Sequence, residues 1–343
     1  MRMNTPESIL VVRRDNIGDL VCTTPLFALL RQRFPRAWIG AWVNRYNAPV
    51  LHRHPDVDAV YVYAKSKHRL PGESRTALLG ARLRALVELR RRRIDWLILP
   101  HSGSQPSAER VARWLAPRRV LRPSEGGADR HEVVRVCSVL EAVGMQVDEA
   151  GLPPLKVVPD AGEVARLSAG FAPRRTPSRP LIALHLSARK PSQRLPLDHW
   201  LAVIERLSAR AELMLLWAPG GADDPHHPGD DALAQSLLEA LGRRGTRPVL
   251  TPNPTHDLAS LITALAICDA AILSDGGAMH LAAGLGKPVV ALFGATPPAV
   301  WRPWGVTHRV LRPPSREVRE LDAAAIVDAC FELPVWSPAA PGA

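Results

Sequence analysis

Short, nearly uninterrupted apolar runs recur along this chain, separated by segments of helical length. The runs cover residues 9–12, 38–43, 57–63, 94–99, 181–185, 213–217, 271–273 and 288–293. A strand covered by helices on both faces has no polar side to display, so such runs mark parallel sheets rather than antiparallel ones. Between them, helical patterns are predicted over 77–89, 200–210, 230–241, 258–268, 278–285 and 322–331. Another begins at Thr24, a plausible N-cap, with Pro25 at the first helical position and Leu26, Leu29 and Leu30 as its apolar stripe. Strands alternating with helices place the chain in the α/β class.

The alternation pauses once. Residues 148–179 hold a proline-rich stretch, a short helical pattern and the polar run APRRTPSRP, and then the strand–helix pattern restarts. With 343 residues the chain has room for two cores. The reading is an N-terminal Rossmann-like domain over 1–165 and a C-terminal one over 178–320. A final helix over 321–333 is free to pack back on the first domain. Ligands of such a pair are expected at the carboxyl ends of the strands, in a cleft that the domains face.

The formal net charge is +11, which admits an anionic membrane surface as a partner. The densest basic cluster, Arg90, Arg91, Arg92 and Arg93, closes a helix, where the helix dipole favours it. No aromatic residues interleave with it, so nucleic acid is not an expected partner. Cys22, Cys137, Cys268 and Cys330 lie far apart and form no CxxC pair, which argues against structural zinc and for four core thiols. The N-terminal residues lack a signal-peptide core, and no run approaches the ~18 apolar residues of a membrane span. The expected location is the cytoplasm, and the expected state a monomer.

Three loops carry the candidate chemistry. The first, RRDNIGDLVCTTP, follows the first strand; Gly18 permits a tight turn, and Asp19 just before the helix could act as a general base or simply cap it. GxGxxG and GxxxxGK[ST] are both missing from this turn. The second loop is SDGGAMHLAAGLGKPVVALFG. Gly276 and Gly277 at a helix start offer backbone amides to a phosphate, His280 lies one turn on, and Asp275 suits sugar or ribose hydroxyls; a tight strand–helix turn with a core histidine is the plainer alternative. The third is HLSARKPSQRLPLDHW, where Ser187, Lys190, Gln193 and Arg194 could donate to a diphosphate or form a solvated basic loop. The run holding Asp223, Asp224, His226 and His227 fits no familiar metal-ligand set and reads as surface.

Together these blocks resemble the heptosyltransferase-like glycosyltransferases of family nine, and the resemblance spans nearly the whole chain. It runs from ILVVRRDNIGDLVCTTPLFALLRQRFP to ILSDGGAMHLAAGLGKPVVALFGATPPAVWRPWG, the latter close to the family's D-[ST]-G-x-x-H-x-A-A run. The resemblance implies the GT-B fold and inverting transfer without a metal or other cofactor. Asp19 would be the base, and Ser187, Asp275, Gly276, Gly277 and His280 would belong to the donor site. It implies ADP-heptose as donor and a lipid-linked or core saccharide of lipopolysaccharide as acceptor, at the inner face of the inner membrane. Two positions depart from the pattern. Gln193 stands where a lysine usually contacts donor phosphate, and Gly276 stands where a hydroxyl residue usually follows the aspartate. These departures leave room for another nucleotide-sugar or another acceptor. A non-catalytic sugar-nucleotide binder is the competing class, and Asp19 argues against it.

Overall fold

The computed structural model describes residues 5–63, 74–101, 103, 105–124, 129–172, 176, 178–222, 229–243 and 250–336. They form two compact units, Met1–Val158 and Pro159–Ala343.

In the first unit, β1 (Ser8–Arg13) is followed by α1 (Ile17–Val21), α2 (Thr24–Arg33), β2 (Trp38–Asn44) and β3 (Ala59–Tyr63). Then come α3 (Arg75–Arg92), β4 (Trp96–Ile98), α4 (Pro106–Leu115), β5 (Arg119–Leu121) and α5 (Glu132–Cys137). The described strands make one five-stranded sheet ordered β3-β2-β1-β4-β5, every pairing parallel. β1 is central and its six residues are all buried. Alternate residues point to opposite faces. Leu10 and Val12 join Leu89 of α3 and Val111 and Leu115 of α4 in one core layer. Ile9, Val11 and Arg13 therefore point to the opposite face.

The second unit begins at α6 (Ala161–Phe171), then β6 (Leu181–His185), α7 (Leu197–Leu207), β7 (Glu212–Trp217), α8 (Asp231–Arg243), β8 (Leu250–Pro254) and α9 (Leu258–Ile267). It continues through β9 (Ala270–Ser274), α10 (Gly277–Gly284), β10 (Val289–Leu292), α11 (Pro298–Trp301), β11 (His308–Leu311) and α12 (Ala323–Phe331). Its six described strands are ordered β11-β10-β9-β6-β7-β8, again all parallel.

Several boundaries differ from the sequence reading. The division falls after Val158 rather than at 165, because α6 packs against α9 of the second unit. The C-terminal helix belongs to the second core rather than the first domain. α12 packs on α7, β10 and β11, with Ile326, Val327 and Cys330 buried beside Trp200 and Leu207. Thr23, not Thr24, is the N-cap residue of α2, and Pro25 sits one position further in than predicted. All four cysteines are buried and none is in a disulfide.

If α12 supplies core, truncating its fully buried Ile326 must leave a cavity. Ile326→Ala is expected to lower the unfolding free energy by about 2–5 kcal/mol, measured by urea denaturation. A change below about 0.5 kcal/mol, the range of surface substitutions, would place the helix outside the core.

Candidate active site

The strand orders fix where polar loops gather. In an open parallel sheet the chain leaves adjacent strands in opposite directions at the point where the order reverses, and this opens a crevice at their carboxyl ends. The first sheet reverses between β1 and β4, the second between β6 and β9. All three candidate loops leave strands at these two points.

In the first unit, β1 ends in a buried cation. Arg13 is 1% exposed, and its guanidinium is surrounded by acceptors. Nη1 donates to the Pro100 carbonyl after β4 at 2.6 Å, and Nη2 donates to Glu132 Oε1 at 2.6 Å and to Asp19 Oδ1 at 3.0 Å. Nε pairs with Asp15 Oδ2 at 3.1 Å. Burial alone favours the neutral guanidine, but Glu132, Asp19 and Asp15 together hold the Arg13 pKa above its ordinary value. Arg135 closes the cluster with two bonds to the Glu132 carboxylate, at 2.8 and 2.5 Å.

Asp19 is thereby held at both oxygens. Oδ1 accepts from Arg13, and Oδ2 accepts from the backbone N–H of Asn16 at 3.0 Å. The capping role and a fixed, partly open carboxylate (17% exposed) thus coexist in one residue. The sequence reading put Asp19 before the helix and Gly18 at a tight turn. Instead both lie within α1, a short helix of its own, and Gly18 is absent from the positive-φ glycines.

The loop leading to Asp19 is fixed from outside. Asn44 Nδ2 donates to the Arg14 carbonyl at 2.6 Å, Tyr46 Oη donates to the Asp15 carbonyl at 2.5 Å, and Gln105 Nε2 bonds the Asp15 carboxylate. Arg14 stacks 3.8 Å from the Tyr63 ring centre. Arg13, Glu132 and the asparagine–tyrosine brace escaped the sequence reading, because the apolar run ends at Val12 and nothing marks the arginine after it as part of a buried strand.

In the second unit the other two loops meet. Gln193 Nε2 donates to Asp275 Oδ2 at 2.7 Å, and Ser274 Oγ donates to the Gln193 carbonyl at 2.6 Å. Both Gln193 and Asp275 are buried. Burial pushes the Asp275 pKa up, against hydrogen bonds from Thr296 and Gln193 and the charge of Lys190. Gly276 caps α10 and Gly277 begins it, both half-buried. His280 is buried one turn on, its ring edge-on to Trp301 at 5.9 Å.

The remaining candidates are more spread. Ser187 Oγ accepts from the Ala218 amide at 2.8 Å, tying the loop after β6 to the end of β7. Lys190 is exposed, whereas Arg194 Nε donates to the Ala188 carbonyl at 3.1 Å. His185, ending β6, is held neutral by burial, its pKa pushed down to about 4. Asp223, Asp224, His226 and His227 lie outside the described residues. Among the described residues, no group of three or more His, Cys, Asp or Glu could hold a metal ion, and no helix is long and apolar enough to cross a membrane.

This pair of parallel-sheet lobes is a GT-B-like architecture. The fold superposes with a TM-score of 0.77 on the glycosyl transferase family 9 protein from Veillonella parvula, at 17% identity over 95% of this chain and 96% of that one. The ADP-heptose lps heptosyltransferase II of Escherichia coli gives a TM-score of 0.73 at 19% identity, covering 94% and 97%. Residues 103–327 match glycosyltransferase family 9 (heptosyltransferase), and the chain belongs to that family. In sequence it is 24% identical over 321 residues to lipooligosaccharide heptosyltransferase 2 of Haemophilus ducreyi, covering 89% of this chain and 88% of the relative.

The loop after β6 is wedged by a glycine that follows β10. A Cβ on Gly294 would lie 2.5 Å from the Ser192 carbonyl oxygen and 3.1 Å from that of Arg316, so the backbone itself blocks any side chain. Gly294→Ala is expected to lower the unfolding free energy by about 1–3 kcal/mol through overpacking, read by urea denaturation. An unchanged midpoint would show that the loop yields freely.

Proposed function

We propose that the protein transfers heptose from ADP-heptose to a saccharide of the lipopolysaccharide core, inverting the anomeric centre, with Asp19 as general base. Family membership supports glycosyl transfer, and the names of the relatives support the donor and acceptor class. The observation that carries the base assignment is the Asp19 carboxylate, fixed by Arg13 and the Asn16 amide at the carboxyl end of the central strand.

In this reading Asp19 accepts the proton of the acceptor hydroxyl as its oxygen attacks the anomeric carbon. Attack comes from the face opposite the diphosphate. The carbon–oxygen bond to ADP breaks, and ADP departs with the electron pair. Arg13 is a positioning residue: it aims the carboxylate and never meets the substrate. Glu132 and Asp15 share the guanidinium, so Asp19 is not its sole counter-ion.

The second unit receives the donor. Backbone amides at Gly276 and Gly277 and the Lys190 ammonium meet the charge that develops on the departing diphosphate, with Ser187 and Arg194 at its margin. Asp275, steadied by Gln193, takes donor hydroxyls, and His280 backs the glycine turn. No step requires a metal. The acceptor is lipid-linked, so the enzyme works at a membrane face.

A second donor has one observation in its favour. A Cβ at Gly276 would touch nothing within 4 Å, so the space of the family's usual hydroxyl residue is open here. A nucleotide-sugar other than ADP-heptose is the corresponding reading.

Calorimetric titration with ADP-heptose, ADP, UDP and GDP separates the two. Micromolar binding confined to the adenine nucleotides is the expected result, and preference for UDP or GDP would transfer the assignment to another donor. Asp19→Asn is expected to keep donor affinity within about threefold while kcat falls roughly 10²–10⁴-fold. Undiminished turnover in that variant would remove Asp19 from the chemistry.

A further inference from the structure

Helix α3 carries apolar residues on two sides. Leu89 is fully buried in the first unit's core and Leu86 packs against it. Leu79, Leu83 and Val87 recur every four residues and so form one stripe, and this stripe faces outward. The large hydrophobic side chains that are exposed among the described residues are these three, Val62 and Trp114, each 40–56% exposed. Trp114 lies on α4, which α3 packs against. Val62 lies on β3, on the sheet face away from α3, since its neighbours Tyr61 and Tyr63 take the covered face. A scattered exposed residue such as Val62 needs no explanation, but three in one stripe beside an exposed tryptophan do.

The helix that bears the stripe is basic, with six arginines and one glutamate within 75–92. Exposed Arg84 and Arg91 line a shallow depression with Leu83, Val87 and Glu88. Arg90 donates to the Trp114 carbonyl at 2.7 Å, joining the stripe to the tryptophan. Glu88 accepts from Tyr61 at 2.5 Å.

We propose that this face of α3 docks on an anionic lipid leaflet, with Leu79, Leu83 and Val87 entering the headgroup boundary and the arginines meeting lipid phosphates. A nucleic acid would leave the apolar stripe unused. A second copy seated face to face would set arginine against arginine, because an isologous contact pairs a patch with itself. The inference rests on the membrane-presented acceptor for its purpose only. The test below contains no sugar, so the two readings fail separately.

The full chain is sedimented with phosphatidylcholine vesicles made with or without phosphatidylglycerol. Binding is expected only to the anionic vesicles, with release at high salt. R84Q/R91Q is expected to weaken it roughly thirtyfold, and L79S/L83S/V87S at least tenfold. These positions are exposed, so the thermal midpoint of each variant is expected to stay near that of the wild type. Leu83→Cys adds an accessible thiol to a chain whose own cysteines are buried. An environment-sensitive dye there is expected to shift to the blue on anionic vesicles. Wild-type protein that ignores both vesicles, variants that bind as the wild type does, or a dye that stays in water would each overturn the proposal. So would a vesicle-free dimer that the stripe variant dissociates, since the occupant would then be a second copy.

Discussion

A fully buried arginine at the end of the central strand organises the first unit. A guanidinium removed from water is tolerated only when its charge and its donors are met inside the protein. Around Arg13 three carboxylates and a carbonyl converge from α1, α5 and the loops after β1 and β4. Each segment is thereby tied to the carboxyl end of β1. The cluster arranges charge where the fold already opens a crevice, and Asp19 is its partly exposed member. Because the partners share one guanidinium, loss of any one of them shifts the load to the others, so the cluster is expected to respond as a unit rather than residue by residue.

The second unit solves a related problem with fewer charges. Gln193 supplies a neutral donor to Asp275 where a lysine would supply a charged one, and burial moves the carboxyl toward its neutral form. Both lobes thus fix an aspartate at a switch point. In the first, a buried cation holds it; in the second, an amide and a threonine do. That asymmetry matches the proposed division of labour, a base in one lobe and hydroxyl recognition in the other.

The buried strands were legible in the sequence because apolar residues must fill both faces of a parallel sheet. The predicted run 181–185 coincides with β6, and 213–217 differs from β7 by one residue. β5, β8 and β11 escaped that reading, and each lies at a sheet edge. β8 carries two prolines, which an edge tolerates and an interior strand does not. Asp19, Asp275 and Gln193 were legible as polar residues shortly after buried strands, although Asp19 lies within α1 rather than in a loop. Their partners were not, since Arg13 and Glu132 stand 119 residues apart and no local pattern links them.

The central claim is that Arg13 acts through Asp19. The most direct test is a double-mutant cycle on kcat with Arg13→Lys and Asp19→Asn, donor affinity being measured in parallel. Arg13→Lys alone is expected to lower kcat at least tenfold with donor affinity intact, and to change kcat less than about twofold once Asp19 is already Asn. Full additivity of the two losses would contradict the account, because Arg13 would then contribute by a route that does not pass through the aspartate.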